Sequence, residues 1–287
     1  MRFFRYESNG GADLAVVRNG VATSLASLDA GYPSDVCDLV SRGPSLIDEI
    51  SARLDRGEGA RVDRNTIRLL NPVASPSKII CIGLNYQDHA DETKLATTAF
   101  PTVFARYNST LIGPGDAILR PKVSQALDFE VELVAVVGKR AHYVPLDQAL
   151  DYVAGYTVAN DASVRDYQFA TSQFLIGKNF DATCPIGPDF VTADELPAGG
   201  KGLSITTRLN GEVVQSSTTS LMIFDVATLI HKLSEVMSLE PGDVILTGTP
   251  SGIGHARKPP LYMKPGDLCE CEVERVCVLS NPVQDEI

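Results

Sequence analysis

The sequence predicts an α+β fold: a large β-roll or sandwich, preceded by a small N-terminal α/β domain. Three observations carry this. Beyond residue 73 the strand-like segments follow one another without regular helices between them, which argues against a doubly wound parallel sheet. Two Asn-Gly pairs, Asn19-Gly20 and Asn210-Gly211, stand between strand-like runs, the pattern of tight hairpins. Few stretches show helical i, i+3, i+4 apolar spacing.

Taken in order, "ADLAVVRNGVATSL" reads as a hairpin, and "SLIDEISARLDRG" as a helix that stops at a glycine. "LLNPVASPSK", with two prolines, reads as a linker. These features set the expected division: a leading domain over 1–72 and a main domain over 73–287. In the main domain, "KIICIGLNY", 131–137 "VELVAVV", "GYTVANDA", "LSITTRLNGEVVQ", "DVILTGTP" and "CECEVERVCVL" are the expected strands. Helices are expected at "PLDQALDYV", at 163–170 "SVRDYQFA" and at "SLMIFDVATLIHKLSEVM".

The 287 residues are 44% hydrophobic and 21% charged, enough for a sizeable core, and the net charge is −11. That balance argues against nucleic-acid or anionic-membrane partners, which need clustered cations. No stretch approaches the roughly 18 apolar residues of a membrane span, and the first residues carry no run suited to a signal peptide. A cytoplasmic protein with its six cysteines reduced is the expectation.

The segment "LDFEVELVAVVG" places Asp128, Glu130 and Glu132 at every second position. On a strand the three share one face, while Phe129, Val131 and Leu133 take the other. Glu130 and Glu132 have β-carbons roughly 7 Å apart, close enough to meet on one ion. The apolar run that follows suggests a strand covered on both sides, where like charges repel strongly unless a cation joins them. All-oxygen ligands favour Mg²⁺, Mn²⁺ or Ca²⁺ over zinc. A solvated acidic face is the alternative. "CECEVER" supplies an internal control: Glu270, Glu272 and Glu274 alternate too, and read as an ordinary exposed face.

Asp161, in "VANDASVRDYQ", ends an expected strand and stands either as a helix N-cap or as a functional carboxylate. Arg165 and Gln168 follow at helical spacing from it. In "GLNYQDHADE", His89 and Glu92 are three apart, so one helical turn lets the carboxylate hold the imidazole as a base.

Together "IGLNYQDHADE", "DFEVELVAVVG", "GYTVANDASVRDYQ", "GKNFDATCPIGP" and "GDVILTGTPSGIG" resemble, in that order, the fumarylacetoacetate hydrolase superfamily over roughly residues 75–280. The resemblance implies that superfamily's β-roll fold, and a homodimer or larger assembly. It implies that Glu130, Glu132 and Asp161 are metal ligands and that one Mg²⁺ or Mn²⁺ is bound per subunit. His89 and Glu92 resemble the general-base dyad, on a lid segment "HADETKLATTAFP", and Lys178 the active-site lysine. Arg165, Gln168, Thr249 and Arg106 resemble substrate-facing positions. Asp128 has no counterpart as a ligand. Where distant relatives have a further Asp ligand this chain has Ile82, which implies three protein carboxylates and open coordination positions.

Such enzymes act on small diketo or 2-oxo acids. The resemblance implies hydrolysis of a C–C bond in an acylpyruvate or fumarylpyruvate, in aromatic-compound breakdown. The alternatives are a 2-oxo acid decarboxylase of the oxaloacetate type, a double-bond isomerase, or a diketo-deoxy sugar acid hydrolase. Lys178 is expected to stabilise the developing anion and help return a proton to it.

Overall fold

The computed structural model describes residues 1–8, 10–88 and 99–287. Two sheets packed face to face build the main body, which is the expected mixed β-roll. The larger, ten-stranded sheet has at its centre the antiparallel pair Val131–Val137 and Val153–Asn160, in register from Val131 opposite Asn160. Val244–Leu246 flanks the first strand antiparallel and is itself paired in parallel with Ile79–Gly83, followed by Thr102–Arg106 at the edge. The second sheet contains Ser204–Leu209, Glu212–Thr218, Leu268–Val273 and Cys277–Asp285.

Every residue of Val131–Val137 is buried. That is the signature of a strand covered on both faces, and the two faces meet different cores. Leu133, Ala135 and Val137 join Val158, Ile205, Cys269, Cys271 and Val273 between the sheets. Val134 and Val136 join Phe3, Leu39, Ile50 and Phe190 under the N-terminal helices.

The leading segment folds as its spacing predicts. Gly11–Arg18 and Val21–Ser24 form a hairpin closed by Asn19 and Gly20, both at positive φ (51° and 76°), as a two-residue primed turn requires. Pro44–Asp55 is a helix with Gly57 at φ 73° just beyond it. The expected boundary near 72 falls in a loop, but the hydrogen-bond ladder does not stop there: Arg2–Ser8 pairs with Asp189–Thr192, so the N-terminal strands extend the large sheet.

Two helix expectations needed correction. Residues 163–170 are not one helix: Ser163–Val164 pairs as a short strand with Leu127–Asp128, and only Arg165–Gln168 is helical. The long C-terminal helix begins at Val226 rather than 220, because the Asp225 carboxylate accepts from the Thr228 N–H and caps it there. All six cysteines are free. Among the described residues, no helix is long and apolar enough to cross a membrane.

Candidate active site

Glu130, Glu132 and Asp161 come together from the two central strands. Glu132 lies within Val131–Val137, Glu130 precedes it, and Asp161 follows Val153–Asn160; the Asp161 N–H bonds to the Glu130 carbonyl at 2.8 Å. One oxygen from each carboxylate lies within 4.8 Å of the others, and all three side chains are buried. Asp161 caps no helix; the residue before Arg165–Gln168 is Val164.

Cations surround this cluster unevenly. Lys178 Nζ donates to Glu130 Oε2 at 2.6 Å, to Asp161 Oδ2 at 2.5 Å and to the Asp161 carbonyl at 3.2 Å. Three acceptors thus surround its ammonium group. Burial alone would lower its pKa, but Asp161 and Glu130 outweigh that and the net shift is upward. Arg165 reaches Glu130 at 2.7 Å. Glu132, by contrast, accepts from the Gly248 N–H at 2.7 Å and, among the described residues, forms no ion pair. Burial, then Asp161 and Glu130, push its carboxyl well above the usual range.

That imbalance is the test of fit for a metal. A fully buried acid with two acidic neighbours and, among the described residues, no ion-pair partner is relieved by a divalent ion placed among the three. The donors are all oxygen, the set that suits Mg²⁺ or Mn²⁺.

Asp128 belongs to the same face but does different work. Its Oδ1 accepts from the Phe129 and Gly254 N–H groups, and its Oδ2 from Arg165 Nε (2.8 Å) and the His255 N–H. Four protein donors saturate it, so it fastens Arg165 and the 254–255 turn instead of binding an ion. Arg165 Nη1 continues to Gln168 Oε1 at 2.8 Å. Among the described residues its buried Nη2 has no hydrogen-bond partner, and Arg165 lines the cavity beside the carboxylates.

The cavity itself measures about 40 Å³, more than the roughly 10–15 Å³ one water needs. Thr249, Gln168, Lys178 and Ile82 contribute to its wall, and Phe104, Phe169 and Phe174 close the apolar side. Gly177 allows the turn Leu175–Lys178 to press on Arg165–Gln168, since a β-carbon there would lie 2.3 Å from Gln168 Cα.

Arg106 is placed differently from the expectation. It lies behind Asp161, bonded to that carboxylate, to the Ala162 carbonyl at 2.5 Å and to Thr183 at 3.2 Å, and it is absent from the cavity wall. Its position suits holding Asp161, not touching substrate. His89 and Glu92 lie outside the described residues, as does most of the expected lid. The chain leading to them is tied down at Asp88, whose Oδ2 accepts from Ser217 and Ser251.

Sequence reasoning missed Gly248, whose contribution is a backbone N–H, and Gln215, discussed below. It also left Asp128 without a role, although the alternating acids had put it on the correct face.

A family model described as the C-terminal region of fumarylacetoacetate (FAA) hydrolase matches residues 78–284. A mitochondrial oxaloacetate tautomerase of Rattus norvegicus is 40% identical over 270 residues, covering 89% of this chain and 86% of the relative. The solved fumarylacetoacetate hydrolase of Exiguobacterium antarcticum superposes with a TM-score of 0.88 at 36% identity, covering both chains fully. A maleylpyruvate hydrolase of Sphingobium sp. SYK-6, solved with manganese(II) and pyruvate, gives 0.83 at 28% identity, again over both whole chains.

Proposed function

The chain belongs to the fumarylacetoacetate hydrolase family, and on that premise we propose that it is a metal-dependent enzyme interconverting the keto and enol forms of an oxaloacetate-like 2-oxo acid. The observation that carries this reading is one cavity holding a buried three-carboxylate cluster beside an Arg165 Nη2 that has no partner among the described residues. The first suits a divalent cation, the second an acidic substrate. The similarity to an oxaloacetate tautomerase over most of both chains supports this choice among enolate chemistries.

Glu130, Glu132 and Asp161 would hold Mg²⁺ or Mn²⁺, which when bound supplies Lewis-acid polarisation of the 2-oxo group. Arg165 Nη2 and the Thr249 hydroxyl bind the substrate carboxylate. Lys178, fixed between two carboxylates, keeps positive charge beside the reacting centre. His89, oriented by Glu92, takes a proton from the carbon next to the 2-oxo group at its imidazole nitrogen; the electron pair moves to the oxygen, which gains a proton in turn. Phe104, Phe169 and Phe174 shield the site from bulk water.

C–C hydrolysis of an acylpyruvate or fumarylpyruvate is the second reading, supported by the similarity to maleylpyruvate hydrolase. In it His89 activates a water that attacks the distal carbonyl. The homodimer and the place in aromatic-compound breakdown belong to this second reading as much as to the first. The tautomerase relative is named as mitochondrial, so it lends no support to a cytoplasmic location.

Oxaloacetate, acetylpyruvate and fumarylpyruvate offered with Mg²⁺ or Mn²⁺ separate the readings. Tautomerisation appears as accelerated loss of enol absorbance with oxaloacetate recovered intact. Release of pyruvate and a second acid from an acylpyruvate at a higher kcat/KM would replace the first reading with the second. In either case His89→Ala should abolish turnover while Mn²⁺ affinity changes little; equal losses of both would remove the base role.

A further inference from the structure

Gln215 lies on the strand Glu212–Thr218, 1% exposed and outside the cavity wall. Its amide has partners of unambiguous polarity. The Val131 N–H, which can only donate, lies 3.1 Å from Oε1. The Pro250 carbonyl, which can only accept, lies 2.9 Å from Nε2. The oxygen and nitrogen ends of the amide are therefore fixed by these two partners. Thr207 Oγ1 donates to Oε1 at 2.7 Å, and the second amide hydrogen goes to Thr249 Oγ1 at 2.9 Å. With both hydrogens and both acceptor directions engaged, the amide cannot turn.

This fixes the polarity of Thr249. Its oxygen accepts from Gln215, so its own hydrogen must point elsewhere. Among the described residues no acceptor takes it, and Thr249 lines the cavity beside the carboxylate cluster. We propose that Gln215 is a positioning residue that orients the Thr249 hydroxyl as a donor into the cavity, so that this end of the site selects an anionic oxygen. The inference rests on the functional reading above and adds the residue that gives Thr249 its direction.

Oxalate is the probe, titrated calorimetrically in Mg²⁺ buffer into the wild type, Gln215→Met, Thr249→Val and the double variant. Thermal melts check the fold, and electron paramagnetic resonance follows Mn²⁺ affinity. A hydrogen bond to a charged group predicts roughly a tenfold or greater rise in oxalate Kd for each single variant. The double variant should be within about twofold of Thr249→Val alone, since coupled residues do not add. Mn²⁺ affinity should stay within about threefold throughout, because neither side chain is a proposed ligand. An equal rise for Gln215→Met in both backgrounds overturns the proposal, since Gln215 would then act independently of Thr249. Should Gln215→Met fail to fold, Gln215→Glu serves: its carboxylate would itself take the Thr249 hydrogen, weakening oxalate in the Thr249 background and not in the Thr249→Val one. The reverse outcome overturns the idea. A wild type that binds Mn²⁺ but shows no Mg²⁺-dependent oxalate binding overturns the functional reading, and this proposal with it.

Discussion

Two stretches of this protein carry the same acidic rhythm and meet opposite fates. In 128–132 and in 270–274 a carboxylate stands at every second position. Glu270 and Glu272 sit on the outer face of the second sheet and share the partly exposed Arg208 at 3.4 and 2.7 Å, and Glu274 lies exposed in the turn after that strand. Asp128, Glu130 and Glu132 are at most 5% exposed and are gripped by Arg165, Lys178 and backbone N–H groups. Alternation sets which face a side chain takes. Depth is set by what covers that face, here the turns at 165–168 and 175–178 and the loop at 248–254. A surface acid pairs weakly through screened water, whereas a buried one must be matched group by group.

The largest test of this contrast is Glu130→Gln against Glu272→Gln. The first should lower Mn²⁺ affinity by more than about 100-fold, beyond the loss typical for residues that merely support a ligand, with turnover falling alongside. The second should leave both unchanged, and a comparable loss there would erase the distinction. Next is Asp128→Ala, which takes one carboxylate partner from the buried Arg165 and should cost about 3–5 kcal/mol in urea unfolding; Glu274→Ala should stay within about 0.5 kcal/mol.

A smaller effect is expected of Gly177→Ala. Its β-carbon would press on the Gln168 backbone, so melting should drop by the equivalent of about 1–3 kcal/mol and oxalate affinity should weaken as Lys178 and Gln168 separate. The smallest concerns the inward face of the control strand. A hydrogen bond to Cys271, then burial, raise the Cys269 thiol pKa, and burial pushes Cys37 up to about 11. Native protein at pH 8 should therefore react with a disulfide reagent far more slowly than the unfolded chain, since thiolate is the reactive form. Fast modification of Cys269 would mean that the second sheet opens readily.

Much of the site was legible because strand periodicity and apolar flanks are local. Val131–Val137, both Asn-Gly hairpins and the face shared by the three acids follow from a few adjacent residues. What escaped depends on distant segments. The bulge where Thr207 pairs with Gln215 but Arg208 pairs with Val213 leaves Val214 and Gln215 both buried, and no alternation pattern announces it. The short strand Ser163–Val164 was misread as helix because its strand partner, Leu127–Asp128, lies more than thirty residues away. Arg106 was placed at the substrate by resemblance alone, while its partner across the fold is the back of Asp161.

The cavity wall draws on segments as far apart as Ile82 and Ile253, and Glu132 finds its N–H donor at Gly248. Contacts of such sequence separation form late in folding. During synthesis the acids at 130, 132 and 161 emerge well before the backbone that completes their enclosure. A nascent chain thus has no finished nest for a cation until Gly248 and its neighbours have been made, so ion capture should come late in folding instead of guiding its beginning.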